Sequence, residues 1–170
     1  SAPDVITAHP ALDARLPTDG SALDLACGVG AQSLWLAERG LRVTALGVSP
    51  VAIGITAAAA ARNGLDVDAR VWDTDAGLPA DLTGLAMIVC QRYRAPHLFT
   101  EFVDRLRPGG VLVLTVLSAA GCTGEAGPFH APAGELTTAF RTARTAGIVE
   151  VLVDDEANGQ ASVVIRRTES

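Results

Sequence analysis

The chain contains no lysine: all 13 of its basic residues are arginine. That excludes Schiff-base chemistry and any phosphate-binding loop that depends on a lysine. It also has no run of arginines, and 19 acidic side chains bring the net charge to −6. An acidic surface repels phosphate backbones, so a nucleic-acid partner is disfavoured. Cysteine is sparse. Cys27, Cys90 and Cys122 are odd in number and show no CxxC spacing, which reads as reduced thiols in a cytoplasmic protein. Cys122 and His130 form the one conceivable zinc pair, but no further paired ligands accompany them, and no metal is expected. No apolar run reaches membrane-spanning length, and SAPDVITAHP has no basic stretch followed by an apolar one. Neither a membrane anchor nor a signal peptide is therefore expected. The G-x-S-x-G elbow is missing too, which argues against hydrolase and acyl-transfer chemistry.

What is present suits one compact domain. The 170 residues are 49% hydrophobic with a positive mean hydropathy, enough for a full core and too few for two ordinary domains. ALDLA (Ala22–Ala26) is a short apolar run entering a glycine loop, which fits a buried strand. AQSLWLAERG has helical composition and stops at Gly40. RVTAL is β-branched and apolar, a second strand. Ser49 can then cap, and Pro50 open, a helix over VAIGITAAAAARNG that closes at Gly64. DVDARVW and AMIVCQ read as strands three and four. In PHLFTEFVDRLRPGG, Leu98, Phe99, Phe102, Val103 and Leu106 share one helical face until Pro108-Gly109-Gly110 breaks it. VLVLTVL is the most hydrophobic strand. Beyond a Gly-, Ala- and Pro-rich stretch from Ser118 to Pro132, GELTTAFRTARTAG reads as a helix. IVEVLVDD and ASVVIRR follow as strands joined by the turn EANGQ.

Strands alternating with helices, with central runs apolar on both faces, imply a mostly parallel sheet covered on both sides. A short hairpin makes the last strand antiparallel to its neighbour. The expected fold is therefore α/β: a doubly wound, Rossmann-like sheet of seven strands, with an antiparallel last strand at its edge. In such sheets ligands bind beyond the carboxyl ends of the strands, where the strand order reverses. The loop there is LDLACGVGAQS, in which Gly28 and Gly30 let backbone approach a ligand. Asp24 lies within reach of a ligand amine or of the loop's own amides. The glycine spacing is not G-x-G-x-x-G.

ALDLACGVGAQSLWLAERGLRVTAL resembles motif I and its sequel in class I S-adenosylmethionine-dependent methyltransferases, and LRPGGVLVLTVL resembles their fifth-strand motif. The short tellurite-resistance-type members are similar in the WLAERG helix, the arginine-tyrosine pair after strand four and the GEL late helix. The resemblance covers about Ala22 to Arg167 and divides the single domain, 1–170, into three parts. These are an N-terminal extension or lid (1–21), a cofactor-binding half (22–117), and a loop, late helix and final hairpin (118–170). It implies S-adenosylmethionine as cofactor, with S-adenosylhomocysteine as product. Gly28 and Gly30 would serve the methionine moiety, with Asp24 near its amine and Ala26, Cys27, Gln32 and Ser33 around them. Asp73 would receive the adenine amine, with Thr74 next to the ring; the competing reading makes Asp73 a turn or N-cap residue. Gly47, Val48 and Ser49 fall at the ribose, and Gln91 falls beside cofactor or acceptor.

Two positions depart from the family pattern. Ala86 stands where strand four usually begins with Asp, a structural contact. Gly47 stands where an acidic residue takes the ribose hydroxyls. Three readings of Gly47 remain open: Ser49 or exposed backbone receives the hydroxyls, the site has decayed into a binding or partner domain, or room is made for a 2′-phosphorylated dinucleotide. On the acceptor side, Arg92, Tyr93 and His97, with Arg94, offer donors in CQRYRAPH. The plainer reading leaves the arginines as solvated loop charges and His97 as a helix opener. Phe129 and His130 point inward or are ordinary packing and surface residues. Glu135 belongs to the first turn of a helix, and Trp35 and Trp72 to the core. With no inserted recognition domain, the expected acceptor is a small molecule.

Overall fold

The structure, a computed structural model, describes residues 1–124 and 127–169. Seven strands form one sheet: β1 (Ser21–Leu25), β2 (Arg42–Gly47), β3 (Val67–Val71), β4 (Leu85–Gln91), β5 (Leu106–Leu117), β6 (Val149–Ala157) and β7 (Gln160–Arg167). Their order is β3-β2-β1-β4-β5-β7-β6. The first five are parallel, and β7 runs antiparallel to both β5 and β6.

The last strand is therefore antiparallel as expected, but it does not form the edge. It inserts between β5 and β6, and burial explains the arrangement. Val163, Val164 and Ile165 of β7 are buried on both faces, whereas Glu150, Asp154 and Asp155 of β6 are exposed. A strand apolar on both sides belongs inside the sheet, and one carrying charges protects an edge. Its hairpin turns at Asn158-Gly159, both with positive φ (55° and 77°), the pairing that a two-residue turn requires.

Helices cover both faces. On one, α2 (Ala31–Glu38) and the N-terminal segment bury Leu36, Ala37, Val5, Ile6, Leu12 and Leu16 against the sheet residues Ala22, Met87, Val89 and Val113. α3 (Pro50–Arg62) joins them through Ile53, which packs on Cys27 and Ala45. On the other face, α4 (Phe99–Arg105) and α5 (Glu135–Thr145) pack Phe102, Leu136, Phe99 and Phe140 against Leu23, Leu25 and Ile88.

The N-terminal extension contains a helix, α1 (Asp4–Ala8), and a 3-10 turn over Pro10–Arg15, both anchored in the core. One reading of the sequence needs correction here. The strand after α4 starts at Leu106, so Pro108-Gly109-Gly110 lies within it, beside a register shift between Leu85 and Met87. A Cβ at Gly110 would come within 2.7 Å of the Leu85 carbonyl oxygen, which is why the chain there has none.

Candidate cofactor and acceptor site

The strand order reverses between β1 and β4, and the chain opens two adjoining clefts there. β1 ends at Leu25, and Ala26 turns into the left-handed region at φ 57°, a strained conformation for a residue with a Cβ. The turn is held by the Cys27 amide donating to the Leu46 carbonyl at 3.1 Å. At Gly28 (φ 53°) an added Cβ would meet nothing within 4 Å, only cleft space. Gly30 has a different task, since a Cβ there would strike Thr56 of α3 at 2.8 Å. The first glycine keeps the cleft open, and the second lets loop and helix pack.

The first cleft, of about 200 Å³, is apolar: Leu25, Ala26, Gly28, Leu46, Gly47, Val48, Ser49, Ala52, Trp72, Thr74 and Tyr93 line it. Trp72, expected in the core, packs against the core cluster on one side and walls this cleft on the other, fixed by its Nε1 donating to the Gly77 carbonyl at 2.9 Å. Ser49 caps α3, its hydroxyl accepting from the Ala52 amide at 3.2 Å. Thr74 is buried, its hydroxyl paired with that of Tyr93 at 2.8 Å, and its carbonyl accepts from His97 Nε2 at 3.0 Å. Asp73 is exposed beside the cleft, and its carboxylate caps the turn Thr74–Ala76 by accepting from the Asp75 amide at 3.0 Å. The N-cap contact is thus present in the structure.

The second cleft, of about 290 Å³, is polar and shares Ala26 and Gly28 with the first; Asp4, Cys27, Val29, Ala31, Gln32, Gln91 and Arg92 complete it. Arg92 follows β4 in the left-handed region at φ 57°, with its amide donating to the Thr115 carbonyl at 2.8 Å. Its guanidinium donates to Asp4 at 3.1 Å. No sequence signal foretold Asp4, which lies 88 residues from its partner.

Asp24 and Ser33 line neither cleft. The Ser33 hydroxyl donates to the Asp24 carboxylate at 2.6 Å, a buried tie from β1 to α2. Burial pushes the Asp24 pKa up to about 7, against a downward pull from the Ser33 hydroxyl and amide. The Cys27 thiol is pushed up by burial and by Asp24, against a downward pull from Thr56, which makes it a neutral wall rather than a nucleophile.

Of the acceptor-side donors, Arg92 and Tyr93 line clefts and His97 lines neither, serving as a brace for the Thr74 turn. Arg94 forms a two-pronged ion pair with Glu135 in the first turn of α5. No described residue of 118–132 lines either cleft. Phe129 is 78% exposed, and His130 accepts from the Gly127 amide at 2.9 Å. Trp35 packs at the rim of the α1–α2 core with Arg39 over its ring. Ala86 is fully buried at the start of β4. Among the described residues no group of three or more potential metal ligands occurs, and no helix is long and apolar enough to cross a membrane.

Comparisons with known proteins agree with this geometry. A family model described as a methyltransferase domain matches residues 22–110. TehB from Haemophilus influenzae superposes with a TM-score of 0.75 at 19% identity, covering 97% of this chain and 62% of TehB. An S-adenosylmethionine-dependent methyltransferase from Mesorhizobium loti gives 0.71 at 20% identity, covering 93% of this chain and 96% of that one. Geranyl diphosphate C-methyltransferase from Streptomyces coelicolor, solved with S-adenosyl-L-homocysteine, gives 0.72 at 15% identity over 98% of this chain and 81% of that one. No curated protein matches in sequence. The solved structures share the fold, and the family model spans the glycine loop, the apolar cleft and the start of β5. The chain belongs to the methyltransferase-domain family, the class I S-adenosylmethionine-dependent group that its glycine loop resembles.

Proposed function

We propose that this domain binds S-adenosylmethionine across the two joined clefts and transfers its methyl group to a small-molecule acceptor. The observation that carries the reading is the join itself: an apolar slot and a polar pocket meet at Ala26 and Gly28, and Gly28 puts no side chain into the space between them. Shape and donor set suit a nucleoside with an amino-acid tail at both ends. Leu25, Leu46, Trp72 and Tyr93 wall the slot for the adenine, with Asp73 at its margin as acceptor for the exocyclic amine. Gln32, Gln91 and the main chain at Gly28 face the tail. At the ribose the fit is poorer, because Gly47 brings no carboxylate and the Ser49 hydroxyl already caps α3.

When bound, the cofactor supplies an electrophilic methyl on a sulfonium that departs neutral, so the protein has little bond-making chemistry of its own to perform. Its residues orient, through the Trp72 wall, and they keep water from the slot, through Leu25 and Leu46. Arg92 and Gln91, beside the join, are the groups placed to meet an acceptor; Tyr93 shapes the slot while its hydroxyl holds Thr74. Three unpaired thiols suit a reducing, cytoplasmic setting.

Calorimetric titration with S-adenosylmethionine and S-adenosylhomocysteine tests the reading. Binding is expected in the micromolar to millimolar range, and absence of heat at millimolar ligand would overturn it in favour of a non-catalytic relative, the alternative that Gly47 supports. A 2′-phosphorylated dinucleotide finds no arginine along the described lining of the apolar slot.

A further inference from the structure

α3 carries no charged side chain from Pro50 to Ala61; Arg62 is its first. Its inner side packs through Ile53, Thr56 and Ala60. At about 100° per residue, the opposite side consists of Val51, Gly54, Ile55, Ala58, Ala61 and Arg62, and all six are exposed. A helix apolar on every side belongs between two layers, yet only one side of α3 is covered. The bare surface extends past the helix. Of the seven exposed large hydrophobic residues described, five lie on α3 or on the segments bordering it: Val48 (73% exposed), Val51 (74%), Ile55, Val29 and Val71. Val29 sits on the loop that Thr56 holds to α3, its hydroxyl donating to the Gly28 carbonyl at 3.3 Å. Val71 ends the row of Val67 and Ala69, which faces α3 from β3. An apolar patch of this kind marks an interaction site. A lipid surface matches it poorly, because helices that lie on membranes carry a basic polar face, and this chain has no lysine and a net charge of −6. The face ends instead in one charge, Arg62. At its other end, across the slot mouth from Ser49 and Ala52, the Thr74–Ala76 turn presents the exposed Asp75. Among the described residues neither Arg62 nor Asp75 joins an ion pair. Such a face is complementary to itself when inverted.

We propose that the outer face of α3 docks a second copy of this chain, with the two α3 helices antiparallel about a two-fold axis. Centring the axis between Ile55 and Ala58 sets Ile55 of each copy against Ala58 of the other, a large side chain on a small one. The same axis sets Arg62 of each copy against Val51 of the other. Val51 and Arg62 are about 16 Å apart along the helix. The aliphatic stem of each Arg62 then covers an exposed valine, and its guanidinium is carried toward Asp75 at the slot mouth. Gly54 and Ala61 leave the backbones free to approach. The 13 residues of α3 span about 20 Å, which puts the contact at the small end of specific interfaces, so the dimer is weak and forms at micromolar concentrations. The pairing does not depend on what the slot binds.

Analytical sedimentation of the full chain between about 1 and 300 µM tests the pairing. The mass is expected to rise from 17.4 kDa toward twice that value. Ala58→Glu and Ile55→Glu, both at exposed helix positions, are each expected to keep the parent's Tm and to weaken the dimer by about tenfold or more, since each sets a carboxylate against an apolar surface. Arg62→Glu is expected to weaken it about three- to tenfold, and Arg62→Glu combined with Asp75→Arg to recover most of that loss. A parent that stays monomeric at the top of the range overturns the proposal. Unchanged association in either folded glutamate variant overturns it too, by placing the contact on another face. A charge swap that recovers nothing overturns the antiparallel alignment. Monomeric protein that pellets with phosphatidylcholine vesicles, and no longer does so as Ile55→Glu, overturns the pairing and gives the face to a lipid surface.

Discussion

Restoring a carboxylate at Gly47 is the sharpest perturbation of this site. Gly47 ends β2, and its backbone is not left-handed, so a side chain there brings no φ strain. A Cβ would lie 3.4 Å from Ile53 Cδ1 and 3.6 Å from Cys27 Sγ, at or near ordinary contact distance. The Gly47 carbonyl, which accepts from the Trp72 amide at 2.9 Å, is untouched by the change. The smaller conformational entropy of the unfolded variant favours folding by about 0.4–1 kcal/mol. A new charge beside the buried Cys27 offsets part of that, so Gly47→Asp is expected to fold with a Tm within about 4 °C of the parent. A carboxylate receiving ribose hydroxyls contributes about 1.5–3 kcal/mol. S-adenosylhomocysteine should then bind about ten- to a hundredfold more tightly. Calorimetry on the parent, Gly47→Asp and Gly47→Asn reads the effect, with the neutral amide expected to give a smaller gain and free adenine to show none. Equal affinity in a folded Gly47→Asp protein would refute the placement of a ribose at the end of β2.

Much of this architecture is legible in the sequence because its signals are local. The apolar runs of β1, β2, β4 and β5, the Ser49-Pro50 start of α3, and the glycine stops at Gly40 and Gly64 all act within a few residues. The site is less legible because its decisive contacts are long-range. Asp24 and Gly28 stand four residues apart in one motif, yet alternation along β1 sends the Asp24 side chain into the α2 interface while the loop beyond forms the clefts. Trp72 packs on the core as its composition suggests, but it sits one residue beyond β3, and its second role as a cleft wall has no local signal. α1 has five residues after a proline and no capping side chain, too little for a helix to hold by itself; Val5 and Ile6 stabilise it only by reaching the core. His97 and Tyr93 both hydrogen-bond to Thr74, a partner on another loop that no local signal foretells.

Two further perturbations address the slot and the buried tie behind it. Trp72→Ala removes the wall of the slot and should weaken S-adenosylhomocysteine binding by about tenfold or more; in Trp35→Phe, where Trp72 is the remaining tryptophan, added adenosine should change its fluorescence, and an unaltered spectrum at saturation would place the ring elsewhere. Asp24→Asn tests the tie through pH. The folded protein holds the Asp24 proton up to a pKa of about 7, against 3.8 for the ordinary side chain. Between those values the folded state binds more protons than the unfolded one, so this group's contribution to stability is greatest below the lower value. It falls as pH rises through the window and is constant above it. At about 1.4 kcal/mol per pKa unit, the loss amounts to about 4 kcal/mol. The amide has no proton to lose and still accepts from the Ser33 hydroxyl, so Asp24→Asn should match the parent near pH 4 and exceed it by a few kcal/mol at pH 8. Urea unfolding of both proteins across that range isolates the effect, because the other titrating groups cancel in the difference. A difference that stays flat with pH would mean that Asp24 folds already ionised, and that the Ser33 hydroxyl and amide outweigh the burial that opposes its charge.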